Sequence, residues 1–190
     1  MTRFERSSAD KEKKLKKETY LKMLEYVRSR AWLAGFVTKG GRALSLVSYV
    51  FYPLFLVWVF AAGQPDAWKA AVVPGAGFVL LSAARAKINA PRPYEVFEAA
   101  PVIEKDTKGK SFPSRHVFSA FIIAFTAGCY NPAAGGALAV CGTLLAVTRV
   151  LGGVHFIRDV AAGAAAGIYH QAGGDPTEHG RTVGIAQTSG

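Results

Sequence analysis

The sequence predicts an all-α fold, a polytopic membrane bundle of about five transmembrane helices preceded by an amphipathic helix at the membrane interface. Three observations predict it. Residues 43–62, "ALSLVSYVFYPLFLVWVFAA", run twenty positions without a formal charge, the length a helix needs to cross a hydrocarbon core about 30 Å thick. Residues 117–148 run thirty-two positions uncharged, interrupted only by "YNPAAGG". The charges are grouped: residues 1–42 hold twelve Lys or Arg against five acids, residues 85–115 hold seven against four, and only four basic residues lie elsewhere.

The elements follow in order. Residues 1–14 are polar and read as frayed. From Leu15 to about Ala34, Tyr20, Met23, Leu24, Val27, Ala31 and Ala34 recur at three- and four-residue steps while Lys16, Lys17, Lys22, Arg28 and Arg30 cover the other face, a basic amphipathic helix suited to an interface. "TKGG" at 38–41 is expected to end it, which sets a basic segment 1–41 apart from a membrane domain 42–172. Residues 43–62 form the first span, "GQPD" turns the chain, and residues 70–84 form the second, with Arg85 able to snorkel at its end. Asn131-Pro132 followed by glycines is a turn signal that divides the long uncharged run into spans near 117–130 and 132–148. The last span, about 157–171, is rich in Ala and Gly, as close helix packing in lipid favours. Residues 173–190 read as a polar, disordered tail.

The net charge of +10 invites a nucleic-acid reading. Apolar spans beside the basic segments exclude it and make anionic lipid headgroups the partner. Cys129 and Cys141 fall inside spans and read as small buried hydrophobes. The basic start, followed by a charged helix, lacks the short apolar core of a signal peptide. Counting spans places the N-terminus, the 88–114 loop and residues 148–159 on one face, and their Lys and Arg residues orient that face to the cytosol. The chain therefore reads as an integral protein of a bacterial plasma membrane with its polar site inside.

Three charged stretches lie where spans meet the interface. The first holds Arg85, Lys87 and Arg92. Arg85 and Arg92 are seven apart, on one helix face if the helix continues to Pro91. Lys87 points elsewhere and reads as a headgroup anchor, with substrate contact as the alternative. The second holds Ser111, Ser114, Arg115 and His116. The third, "TRVLGGVHFIRD", holds Thr148, Arg149, His155 and Asp159. Cations, a hydroxyl and helix N-terminal amides gathered together bind phosphate. His155 and Asp159 are neighbours on a helix surface, so the carboxylate fixes the imidazole tautomer and leaves the other nitrogen nucleophilic. Attack of His155 on phosphorus, with His116 protonating the leaving oxygen and Arg85, Arg92 and Arg149 neutralising the equatorial oxygens, is a phosphatase mechanism that requires no metal and no cofactor. Lys105, Lys108 and Lys110 read as a solvated loop, Tyr94 and Glu95 carry no assigned role, and His170 and His179 read as bystanders.

"R-x6-RP" at 85–93, "PSRH" at 113–116 and "TR-x5-H-x3-D" at 148–159 resemble the three-part signature of the type 2 phosphatidic acid phosphatase superfamily, which also includes vanadium haloperoxidases and bacterial acid phosphatases. The resemblance covers about residues 42–172. It implies a helical bundle, His155 as nucleophile, His116 as general acid, Asp159 as orienting acid, and phosphate held by Arg85, Arg92, Ser114 and Arg149. Arg85 stands where a lysine is usual and Thr148 where a serine is usual. Arg115 replaces a glycine and joins the phosphate site through its backbone N–H or its side chain. The function expected is hydrolysis of a lipid phosphomonoester or polyprenyl diphosphate, with phosphatidylglycerophosphate, phosphatidic acid, a prenyl diphosphate or a polyprenyl-linked sugar phosphate as substrate. Competing readings are an undecaprenyl diphosphate phosphatase with an extracytoplasmic site, a vanadate haloperoxidase, and a non-catalytic phospholipid-binding protein.

Overall fold

The computed structural model describes residues 3–64 and 66–171, and among them every regular element is a helix. The elements are α1 (Arg3–Arg28), α2 (Ala31–Gly35), a π-helical turn (Phe36–Gly40), α3 (Gly41–Ala61), α4 (Ala67–Ile88), α5 (Pro93–Phe97), α6 (Arg115–Tyr130), α7 (Pro132–Leu151) and α8 (Ile157–Gln171). Three stretches are long and apolar enough to cross a membrane: Ala31–Ala61, Ala67–Phe97 and Pro132–Leu151. At 16 and 15 residues, α6 and α8 are shorter, but they pack among the long helices. The expected tail, 173–190, lies outside the described residues.

Helix α6 is the axis of the bundle and packs against α3, α4, α7 and α8. Phe118, Ile122, Ala124 and Ala127 are buried along it. Close approach is built in by glycine: a Cβ on Gly135 of α7 would lie 2.5 Å from the Cα of Gly128 on α6, so any larger residue would force the two helices apart. The Asn131 side chain accepts from the Ala134 N–H at 2.9 Å and Pro132 opens α7, which is why the uncharged run divides there. Around this axis the long helices turn apolar side chains outward. Leu54 and Val57 of α3, Val79 and Leu80 of α4, and Val140 of α7 are all at least 60% exposed, a surface that lipid covers. Exposed Trp32 stands at one end of the first long helix and exposed Trp58 at the other, with exposed Trp68 at the start of α4, as aromatic belts do. The 26 residues from Trp32 to Trp58 span about 39 Å at 1.5 Å per residue, close to the full thickness of a bilayer with its headgroups.

Two expectations about the N-terminal region require correction. "TKGG" does not end a helix; Thr38, Lys39 and Gly40 lie in the π-helical turn and the helix runs on into α3. The break comes earlier, at Ser29 and Arg30, where Arg30 adopts an extended conformation. Helix α1 begins at Arg3, within the stretch expected to fray. Its apolar stripe is filled by the protein itself: Tyr20 and Leu24 pack on Phe97, Val102 and Phe156, and Val27 packs on Leu33, Val37 and Ile103. Ala31, expected on the same stripe, is exposed beyond the break. Cys129 also departs from expectation, being exposed at the end of α6.

Candidate active site

The ends of α4, α6, α7 and α8 meet on one face of the bundle. There a cavity of about 370 Å³ is lined by Arg85, Arg92, Lys105, Arg115, His116 and His155, among others. The two histidines singled out in sequence thus share one space, together with three of the four expected arginines. Asp159, Ser114 and Arg149 do not line it; they are buried in the structure behind its wall. Lys87 is exposed and lies off the cavity.

His155 occupies the turn between α7 and α8, and Asp159 lies in the first turn of α8. The His155 Nδ1 is 3.5 Å from Asp159 Oδ2, long for a direct hydrogen bond. The Ser111 hydroxyl fills the gap: it donates to Asp159 Oδ2 at 2.5 Å and lies 3.4 Å from His155 Nδ1. Asp159 Oδ2 also accepts from the Phe156 N–H at 3.0 Å. A hydroxyl that donates to the carboxylate is left to accept from the ring, so Nδ1 carries the proton and Nε2 keeps its lone pair. Burial holds the His155 pKa below its ordinary value, although Asp159 pulls it the other way. The neutral ring is therefore the resting form at neutral pH.

The arginines converge by a different route from the one expected. Helix α4 stops at Ile88, capped by Asn89 in the left-handed region. Pro91 and Pro93 then bar any continuation, so Arg85 and Arg92 do not share a helix face. The chain folds back instead, and both guanidiniums grip main-chain carbonyls. Arg85 donates to the carbonyls of Lys110, Ser111 and Pro113. Arg92 donates through Nε to Gly109 at 3.0 Å and through Nη1 to Val154 at 3.2 Å. Arg149 reaches across to Ser45 of α3 at 2.8 Å.

Ser114 is the N-cap residue of α6, yet its buried Oγ has no partner among the described residues. Its N–H donates to the main-chain carbonyl of Asp159 at 2.8 Å, and a Cβ on Gly163 would lie 2.5 Å from the Ser114 carbonyl. The start of α6 is thereby fixed against α8, and the amides of its first turn, lacking intrahelical acceptors, remain available to an anion. Arg115 leans over the Phe78 ring at 5.4 Å.

Three contributions are not anticipated by the sequence, although Ser111 lies in the second charged stretch. Ser111 bridges the histidine and the aspartate. Glu95 accepts from the Arg92 N–H at 2.7 Å and from the Gly109 N–H at 2.9 Å, pinning the loop that Arg85 and Arg92 also hold; a proline at the helix start with an acid two residues later is the available signal. Lys105 does not sit in a solvated loop but lines the cavity half-buried, and its amine is lowered to about 8 by burial and by Arg92, Arg149, Arg115 and Arg85.

The family model described as the PAP2 superfamily matches residues 66–172, a stretch that includes all three charged stations. The chain belongs to the PAP2 superfamily. It is by that membership a phosphoric monoester hydrolase, here embedded in a membrane bundle. Among solved structures, the PAP2 chain is similar to LpxE of Aquifex aeolicus, with a TM-score of 0.65 at 23% identity over 81% of this chain and 90% of that one. It is also similar to the first transmembrane PAP2 type phosphatidylglycerolphosphate phosphatase from Bacillus subtilis, with a TM-score of 0.63 at 21% identity over 92% and 88%. No curated protein sequence matches it. At these identities the neighbours share the PAP2 fold with this chain.

Proposed function

We propose that this protein hydrolyses a lipid phosphate at the cytosolic membrane face through a phosphohistidine on His155. One observation carries the reading: His155, oriented from behind by Ser111 and Asp159, and His116 border the same cation-lined cavity. In the first step Nε2 of His155 attacks phosphorus and the bond from phosphorus to the lipid oxygen breaks. His116, whose pKa is lowered by burial and then by Arg149, Lys105, His155 and Arg115, takes up a proton as the bound phosphate dianion offsets those cations, and passes it to that oxygen. In the second, His116 takes a proton from water as the water attacks the phosphohistidine, releasing inorganic phosphate and restoring His155. Arg85, Arg92, Arg115 and the α6 amides offset charge on the non-reacting oxygens. Among the described residues no carboxylate lines the cavity, which favours arginine over a divalent ion as the source of positive charge.

The lipid class is supported by the position of the cavity at helix ends beside apolar, outward-facing spans. The name of one neighbour, a phosphatidylglycerolphosphate phosphatase, favours a phosphomonoester on a phospholipid. Packing of α1 on α5 and on the α7–α8 turn puts the N-terminal helix on the same side as the cavity, and the basic residues there orient that side inward. Phosphate release across a panel of lipid phosphates, lost in His155→Ala, tests the activity. Labelling by an impermeant thiol reagent in intact cells, at a cysteine placed in residues 100–110, would overturn the cytosolic assignment in favour of an extracytoplasmic site.

A further inference from the structure

The cavity holds more positive charge than one phosphate neutralises. Arg85, Arg92, Lys105 and Arg115 stand on its wall, and Lys108 and Lys110 add to them from exposed positions. Among the described residues no carboxylate joins them. Glu95 is engaged with main-chain N–H groups, and Asp159 is buried behind the wall. A phosphomonoester brings a charge of about −1.5 to −2 at neutral pH.

The cations differ in what holds them. Arg85 and Arg92 grip carbonyls of the 109–113 stretch and of Val154, so part of their donor capacity shapes the wall. Lys105 has no hydrogen bond or ion pair among the described residues, although it is half-buried on the cavity. Burial, and then Arg92, Arg149, Arg115 and Arg85, push its amine down to about 8. An ammonium held among guanidiniums without a counter-ion is costly, and an anion arriving beside it removes that cost.

We propose that Lys105 forms a second anion subsite beside the transferred phosphate, so that the preferred headgroup carries two anionic groups, either a diphosphate or a phosphomonoester next to a phosphodiester. This rests on the phosphatase reading above and names the substrate class it serves. With a diphosphate, His155 attacks the terminal phosphorus and the bridging P–O bond breaks. The lipid monophosphate leaves with the bonding pair, held by Lys105, and water then frees inorganic phosphate from His155. With a neighbouring phosphodiester, Lys105 holds that group and the leaving oxygen is an alkoxide protonated by His116.

Calorimetry on the full chain in detergent at neutral pH, with inorganic phosphate and with methylenediphosphonate, tests the subsite without catalysis. The diphosphonate is expected to bind about tenfold tighter or more. Lys105→Gln should remove most of that preference while phosphate affinity changes by less than about threefold, and Lys105→Arg should keep it. Equal binding of the two probes, or an equal loss of both in Lys105→Gln, overturns the subsite. Phosphate release from a lipid monophosphate, a lipid diphosphate and phosphatidylglycerophosphate then separates the two sources of the second charge; a preference for the monophosphate overturns the proposal. No release from any lipid, with the diphosphonate preference intact, would overturn the phosphatase reading and leave the subsite standing.

Discussion

The short turn between α7 and α8 and the long stretch between α4 and α6 border the same cavity but are built in opposite ways. The turn acts through side chains at fixed spacing: His155 faces the cavity and Asp159, one helical step on, stands behind it. The long stretch acts largely through its main chain. Its carbonyls at 109–113 are gripped by Arg85 and Arg92 and its Gly109 N–H by Glu95. Chemistry is therefore concentrated in the turn, while the shape and charge of the cavity depend on how firmly the long stretch is held. Damage to the first, or to Ser111, whose side chain reaches from the long stretch to the His155–Asp159 pair, should fall on kcat, and damage to the rest of the long stretch on KM and stability.

The largest effect expected is from His155→Ala, which removes the nitrogen proposed to attack phosphorus and should lower kcat by about 10⁴-fold or more; trapped phosphoenzyme should vanish with it. Retention of either would break the contrast at its root. Ser111→Ala leaves both partners in place but opens the bridge, and should lower kcat about 10- to 100-fold with KM nearly unchanged. Ser111→Thr, which keeps the hydroxyl, should recover much of it, and a Ser111→Ala defect confined to KM would move Ser111 to the wall. Glu95→Gln weakens the clamp on Gly109 and Arg92 and should raise KM by about tenfold with a lower Tm, kcat changing less.

The pH profile of kcat/KM sharpens the same comparison, because each region contributes one limb. On the acid side activity is lost when His155 takes a proton. Burial lowers its pKa and Asp159 raises it, so Asp159→Asn should carry the acid limb to still lower pH as it lowers the rate. On the alkaline side Lys105, charged below about 8, loses its proton as pH rises, and KM should climb through that range. Lys105→Arg should flatten the limb. Smallest of all, Lys87→Ala should change kcat/KM less than about twofold, since Lys87 is exposed and off the cavity.

Side-chain chemistry is legible in the sequence because its spacing is set by covalent geometry. The four-residue step from His155 to Asp159 stands out from the order of residues alone, and the two side chains do meet. The long apolar helices α3, α4 and α7 are legible for a similar reason, an uncharged run being a direct imprint of lipid. Contacts made by the main chain leave no such imprint. Nothing in the identity of Gly109 or Lys110 tells that their backbone is the target of Arg85, Arg92 and Glu95. Lys105 is easily misread because a lysine in a polar loop looks the same whether it faces water or a cavity. The seven-residue step from Arg85 to Arg92 misleads as well: the residues do converge, but through a reversal at Asn89 and not along a helix.

One contact also bears on how the protein is made. The Tyr20 hydroxyl, kept protonated by burial that pushes its pKa up to about 12, donates to the carbonyl of Gly153 at 3.0 Å across 133 positions of sequence. Gly153 is two residues before His155. During synthesis α1 must wait at the bilayer surface while each successive span is inserted, and the turn that carries His155 closes on Tyr20 only once α7 has left the ribosome. A nascent chain halted anywhere short of that point is catalytically silent.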